Sequence, residues 1–434
     1  MNERRKLLMV SFFYPPDPAV GGLRVAKFAQ YLPESGWHPT VLTARTAAGD
    51  SAEHPAHVDA TRFISPWRLL SPKRRGIGVA GGTALRERAG RGGVVSSAAY
   101  SALRHVLPMS SVRMPDATLG WVPFAVAQGR RLLDSADFHA ILSSSGPPSS
   151  HVVAARLQRH SGLPWIADYR DSWSDNHWDV RIGPFRRLER RLERRVLRRA
   201  SLLTTVAPAL AEQLETLHAK NVEVVYNGFD PADYPSVPKP ANGFTVVYVG
   251  TLNRPNQNPE PVFQALAQLN SRPDLDLDRL RFQLCFLGTA SGAVADLARQ
   301  HRVSQWVRHE PAVPHHESLA RQAGATALLF LGWSDPHAGV VTAKLFEYLG
   351  ARRPILAVGT AGGSVSRILR ECGLPDLSND PPAIAARLEG WLREFAESGT
   401  LKPPASSEAV ARYTRRAQTR RMADLLDGLS RGRS

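Results

Sequence analysis

One carboxylate, Glu347, stands inside an apolar helical run, LFEYL at 345–349, eight residues after Gly339. Before it come the small residues Gly339, Val340, Val341 and Thr342, then Lys344; after it come Gly350, the break at Pro354 and the apolar stretch ILAV at 355–358. The order reads as turn, helix, turn and buried strand. A helix that opens on small residues presents unpaired N–H groups and the positive end of its dipole, a setting that favours phosphate oxygens. Glu347, about two turns further on, would then be placed to accept hydrogen bonds from both ribose hydroxyls of a nucleotide whose diphosphate lies at the helix start. The competing reading is a buried helix whose one acid pairs with Arg352 or Arg353.

A second concentration of polar groups follows the short strand expected over 165–167, in LPWIADYRDSWSDNHW. Open parallel sheets bind ligands at the carboxyl ends of their strands, and here Arg170 and Asp171 occupy that position. A permanently charged, forked guanidinium suits phosphate or carboxylate better than proton transfer. Asp168 alternatively pairs with Arg170 and holds the loop. Nearer the start, a strand over 7–13, the loop YPPDPAVGG and a helix with apolar residues at Leu23, Ala26, Phe28, Ala29 and Leu32 lead to a strand over 40–43. This is a strand, glycine loop, helix and strand unit of the doubly wound kind. The loop lacks the full GxGxxG pattern, which weakens a dinucleotide reading. Gly21 and Gly22 also fit a tight turn that needs glycine torsions.

These groups need positioning elements, and the chain supplies them twice. Strands are expected over 140–143, 202–206 and 222–226 with helices between, and then again over 244–249, 282–288, 327–331 and 355–358. YPSVPKPANG, with three prolines in seven residues, reads as a semi-rigid linker between two units. The serines of SSGPPSSH, Ser144, Ser145, Ser149 and Ser150, are candidate caps for the helix that follows. Residues 76–93, rich in glycine and arginine, read as a mobile surface segment.

With 434 residues, 43% hydrophobic and 22% charged, the chain suits two or three ordered soluble domains, not a disordered polymer. No apolar run approaches the roughly 20 residues of a membrane span. The start, MNERRKLLMVSFFYPPD, lacks a small-residue cleavage site and is expected to be a buried strand. Two isolated cysteines, Cys285 and Cys372, offer no disulfide framework or zinc site and fit a reducing cytoplasm.

The stretch around Glu347, the D-Y-R-D-x-W run at 168–173, Asn227, Gly228 and Asp230, and the order Pro115, Asp116, Gly120, Trp121 together resemble the GT-B glycosyltransferases, specifically a bacterial subgroup of the retaining family 4. The resemblance covers nearly the whole chain apart from 45–100. It implies an α/β fold of two Rossmann-like, doubly wound domains facing a central cleft, with a C-terminal helix crossing back to the first domain. Its boundaries are an acceptor-side domain at 1–226, a linker at 227–242, a nucleotide-sugar-binding domain at 243–400 and a basic helix and tail at 405–434. The implied activity moves a sugar from a nucleotide-sugar donor to a glycan, lipid-linked or small-molecule acceptor with retained configuration, in bacterial polysaccharide or glycoconjugate assembly.

By the same resemblance Glu347 contacts the donor ribose, and Gly21, Gly22, Thr251, Gly339, Val340, Val341, Thr342 and Lys344 line the donor. Arg170, Asp171 and Arg254 carry catalytic roles. The family commonly has a second acid where this chain has Gly339, and a lysine after Gly250 where only Arg254 remains, with Asn253 and Asn256 as weaker polar contacts. A non-catalytic nucleotide- or sugar-binding subunit of the same fold is therefore the alternative. No cofactor and no metal are expected: Asp274, Asp276 and Asp278 have a spacing that suits a divalent cation but fall before a strand, far from Glu347.

Fifty-five basic against 39 acidic residues leave +16, enough to attract polyanions. No aromatic-interleaved basic motif points to nucleic acid. Residues 181–200 hold nine arginines and two glutamates around an expected apolar stripe at Phe185, Leu188, Leu192 and Val196. They read as a scaffold helix with a solvated basic face, or as a surface held on anionic lipid at the inner face of the plasma membrane. The run ARYTRRAQTRRMADLLDGL, after Pro403 and Pro404, is a second basic helix that crosses back to the first domain or stays an exposed tail.

Overall fold

The structure, a computed structural model, describes residues 5–17, 20–45, 56–64, 114–175, 183–236, 240, 242–253, 256–289, 291–333, 340–402 and 407–431. Arg254, Gly339, Pro403, Pro404 and the segment 76–93 lie outside the described residues. The chain divides into two units, Met1–Val225 with Thr419–Ser434, and Tyr226–Gln418.

In the first unit the strands are β1 (Arg5–Val10), β2 (Trp37–Ala44), β3 (His57–Thr61), β4 (Phe138–Ser144), β5 (Trp165–Tyr169), β6 (Leu202–Thr205) and β7 (Val222–Val224). They form one parallel sheet in the order β3-β2-β1-β4-β5-β6-β7. Its helices are α1 (Val20–Tyr31), α2 (Val122–Ser135), α3 (Ser149–Ser161), α4 (Gly183–Leu197) and α5 (Pro208–His218). Leu7 and Met9 of β1 enter one core cluster, and Leu8 and Val10 enter another. Successive side chains point to opposite faces, and here both faces are covered. That is why the strand reads as an unbroken apolar run.

The helix α1 buries Arg24, Val25, Phe28 and Ala29, with Leu32 buried just past its end, while Leu23 and Ala26 stay partly exposed. The expected stripe is therefore rotated, and it takes a charged residue inward. The expected stripe of α4 is also displaced. Leu192 and Val196 are half-buried, but Phe185 and Leu188 are exposed, and the fully buried positions are Glu189, Glu193 and Leu197. Acids can occupy that face because partners await them: Glu193 accepts from Tyr169 Oη at 2.8 Å and Ser174 N at 3.1 Å, and Glu189 from Trp173 Nε1 at 3.2 Å.

The terminal helix, Arg415–Arg431, belongs to the first unit from Thr419 on. Met422, Ala423 and Leu426 join the core cluster of Leu7 and Val41, and Asp427 accepts from Trp37 Nε1 at 2.7 Å and pairs with Arg5. It is not an exposed tail.

In the second unit the strands β8 (Thr245–Val249), β9 (Gln283–Leu287), β10 (Val307–Glu310), β11 (Ala327–Leu331) and β12 (Ile355–Val358) form a parallel sheet in the order β10-β9-β8-β11-β12. Around it run α6 (Glu260–Asn270), α7 (Ser291–Gln300), α8 (His315–Gly324), α9 (Ala343–Ala351), α10 (Gly363–Glu371) and α11 (Pro381–Ser398). Phe244, Val246, Tyr248, Leu284, Phe286, Leu329 and Leu388 centre its core. Each unit is thus doubly wound, as the sequence pattern requires.

Candidate functional site

Strand order reverses beside β1 in the first unit and beside β8 in the second, and such reversals open crevices at the carboxyl ends of the strands. In the second unit the chain leaves β8 through Gly250, whose φ of 91° is a region that L side chains rarely adopt. Across that turn lies Lys344, from the first turn of α9: a Cβ built on Gly250 would stand 3.6 Å from Lys344 Cε. The ammonium rests 3.8 Å from the centroid of the Tyr248 ring. It makes no hydrogen bond or ion pair among the described residues. Burial pushes its pKa down to about 7, against the pull of Glu347.

Helix α9 opens with Thr342 at its N-cap and no side chain capping it, so its first N–H groups are available to an anion. Val341 is buried, and Val340 and Thr342 are half-buried beside that opening. Thr251 is exposed and holds the loop through its carbonyl, which accepts from Tyr248 Oη at 3.2 Å. The loop is further fixed by Gln257, which accepts from Asn253 N at 3.1 Å and donates to Leu331 O at 2.7 Å. Asn253 Nδ2 is buried without a partner among the described residues.

Glu347 pairs with neither Arg352 nor Arg353. Arg352 is the left-handed C-cap of α9, and Arg353 donates to Ala323 O at 2.8 Å. The carboxylate instead meets His315 Nε2 at 3.0 Å and Gln322 Nε2 at 3.3 Å, both from α8, and remains 22% exposed. The hydrogen bond to Glu347 raises the pKa of His315. Neither partner was visible in sequence spacing, because α8 precedes α9 by a whole strand; only the i, i+7 spacing of His315 and Gln322 hints that they share a helix face.

In the first unit Asp168 does not pair with Arg170. It is buried at the end of β5 and takes Arg24 Nε at 2.9 Å and Nη2 at 2.8 Å, with Ser144 Oγ and Thr204 Oγ1 each at 2.9 Å. Arg24 Nη2 also donates to Val225 O at 2.8 Å. Burial works against the charge on Asp168, but Arg24 and the two hydroxyls outweigh it and lower its pKa.

Arg170 instead donates from Nε to Ser145 O at 2.7 Å and from Nη2 to Gly146 O at 3.1 Å. Its guanidinium fills the space that side chains at Gly21 and Gly146 would need: built Cβ atoms would come within 2.9 and 2.0 Å of its nitrogens. Gly22 likewise leaves a built Cβ only 3.1 Å from Tyr14 Cα. Close approach therefore explains these glycines. Asp171 is exposed. The expected serine caps of α3 are replaced by Asp116, which accepts from Ser149 N at 2.6 Å and Ser149 Oγ at 2.8 Å.

Asp274, Asp276 and Asp278 are each engaged separately, by Arg393, Arg279 N and Trp306 Nε1, and no group of three metal-ligating side chains occurs among the described residues. A cavity of about 510 Å³ elsewhere on the second unit, lined in part by Cys285, Arg308, Glu310 and Arg321, touches none of the donor-side residues.

Comparisons with known proteins bear on the fold. Residues 94–233 match the sequence profile of glycosyltransferase family 4. No curated protein matches the chain. Among solved structures, the sucrose-phosphate synthase of Thermosynechococcus elongatus is similar at a TM-score of 0.62 and 16% identity, over 99% of this chain and 100% of that one. Anabaena HepE in complex with UDP-glucose matches at 0.57 and 14%, over 98% and 99%. The apo lipopolysaccharide outer core galactosyltransferase WaaB matches at 0.55 and 12%, over 98% and 99%. The fold is that of the GT-B glycosyltransferases.

Proposed function

We propose that this chain is a glycosyltransferase that moves a sugar from a nucleotide-sugar donor to a glycan, lipid-linked or small-molecule acceptor with retention of configuration. The observation that carries the reading is Lys344: an ammonium without an anionic partner among the described residues, at the strand-order reversal of the second unit, on the open end of the helix that also bears Glu347. Departure of a nucleoside diphosphate gathers negative charge, so catalysis needs a preorganised positive site more than a nucleophile. Lys344 and the first N–H groups of α9 supply one, and Lys344 takes the place of the lysine absent after Gly250.

Glu347 takes the ribose hydroxyls, exchanging Gln322 or His315 for them. Arg170 and Asp171, at the carboxyl end of β5, and Arg254 are carried as catalytic residues by the resemblance alone. No metal is called for, since lysine and helix terminus do its work. A role in bacterial surface-polysaccharide or glycoconjugate assembly, in the cytoplasm, rests on resemblance. HepE, whose structure holds UDP-glucose, makes UDP-sugars the first donors to try. A non-catalytic binding subunit is the second reading, favoured by Gly339 standing where the resembled family has an acid; donor turnover separates the two.

Thermal unfolding with UDP, GDP, ADP and dTDP tests the site. At about 100 times its dissociation constant a ligand adds about 2.7 kcal/mol, a rise of several degrees in Tm. One nucleoside diphosphate is expected to stabilise the parent chain and to lose that effect in Glu347→Ala. If none of the four shifts the parent, the site is not a nucleotide site.

A further inference from the structure

The helix α4 presents a face that neither the fold nor the nucleotide site uses. Its only acids, Glu189 and Glu193, are buried and engaged with Trp173, Tyr169 and Ser174. Arg186 and Arg190 share Asp175, at 2.7 and 2.8 Å. Opposite the buried face run Arg187, Leu188, Arg191 and Arg195, spaced i, i+1, i+4 and i+8, one stripe of a helix. All four are exposed, and the three arginines have no ion pair or hydrogen bond among the described residues. Leu188 is 51% exposed and Phe185, at the helix start, 37%.

We propose that this face of α4 docks on an anionic lipid bilayer. With both carboxylates withdrawn, the exposed surface carries one sign of charge, complementary to acidic headgroups. Two large apolar side chains beside it would be a cost in water and a gain at the headgroup and acyl boundary, where amphipathic helices lie. A polyanion that is only a row of phosphates uses the charge but not the leucine. Among the described residues no helix is long and apolar enough to cross a membrane, so contact through this face is peripheral. The inference does not depend on the nucleotide reading.

Flotation of the full chain with vesicles tests it. The chain is expected to float with phosphatidylcholine vesicles containing phosphatidylglycerol and not with phosphatidylcholine alone. Partitioning should fall more than about tenfold in Arg187→Gln/Arg191→Gln/Arg195→Gln, and also in Phe185→Ser/Leu188→Ser, with Tm and circular dichroism unchanged in both because the side chains are exposed. Equal flotation of the parent and both variants, or no preference for the anionic vesicles, overturns the proposal. So does binding of a random oligonucleotide at physiological salt that the triple variant loses while vesicles leave the parent unbound; that result assigns the face to nucleic acid.

Discussion

Both units place a carboxylate and a cation close to a strand-order reversal, and they use them in opposite ways. In the first, Arg24 and Asp168 form a buried bidentate pair whose remaining capacity goes to Ser144, Thr204 and Val225. In the second, Lys344 lies on an aromatic ring with no acid bonded to it, and Glu347 keeps contact with solvent. Saturated charge serves the fold. Unsaturated charge, maintained against its own desolvation, is what a ligand can use.

Arg24→Ala should break this comparison most severely. It strands a buried carboxylate, and about 3–5 kcal/mol of stability should be lost in urea denaturation, with nucleotide affinity per folded molecule unchanged.

Lys344→Met should do the reverse, weakening nucleoside diphosphate binding about 10- to 100-fold by calorimetry, the value of a charge-assisted hydrogen bond, without destabilising the free protein. The sign follows from its pKa, depressed from 10.5 to about 7. Between those values the unfolded chain binds the extra proton, so parental stability should rise with pH and the advantage of Lys344→Met should shrink. Diphosphate affinity of the parent should fall above pH 7 by up to about tenfold per unit, and the variant should lack that dependence.

His315→Ala should show the smallest change, below about 1 kcal/mol, because the imidazole is half exposed. His315 has a raised folded pKa. Its contribution is therefore complete below about pH 6.5 and lost as pH rises through the folded value, so the stability difference between parent and His315→Ala in urea melts should be present at acid pH and vanish at alkaline pH.

Much of the architecture could be read from residue order. The strands Ala327–Leu331 and Ile355–Val358 fall where their apolar runs begin and end, because a strand covered on both faces leaves no polar interruption. The opening of α9 before Glu347 was legible for a similar reason: small residues, an apolar helical run, then Gly350 and Pro354 are local signals. The inward turn of Arg24 had a faint signal, since it sits four residues before Phe28 on the face that α1 buries.

Local pattern by itself determined the two doubly wound units, the loops that carry Arg170 and Gly250, and the helix that carries Lys344 and Glu347, since each depends on backbone propensity and short-range periodicity; Gly21 and Gly22, read as a loop, lie inside α1. Tertiary structure decided which charges are spent. Asp168 reaches Arg24 across 144 positions, Glu347 reaches His315 across 32, and Glu189 and Glu193 rather than Phe185 and Leu188 face the interior. An ion pair or a buried acid is selected by whichever partner the packed sheets bring within about 3 Å, and that distance is unrelated to separation along the chain.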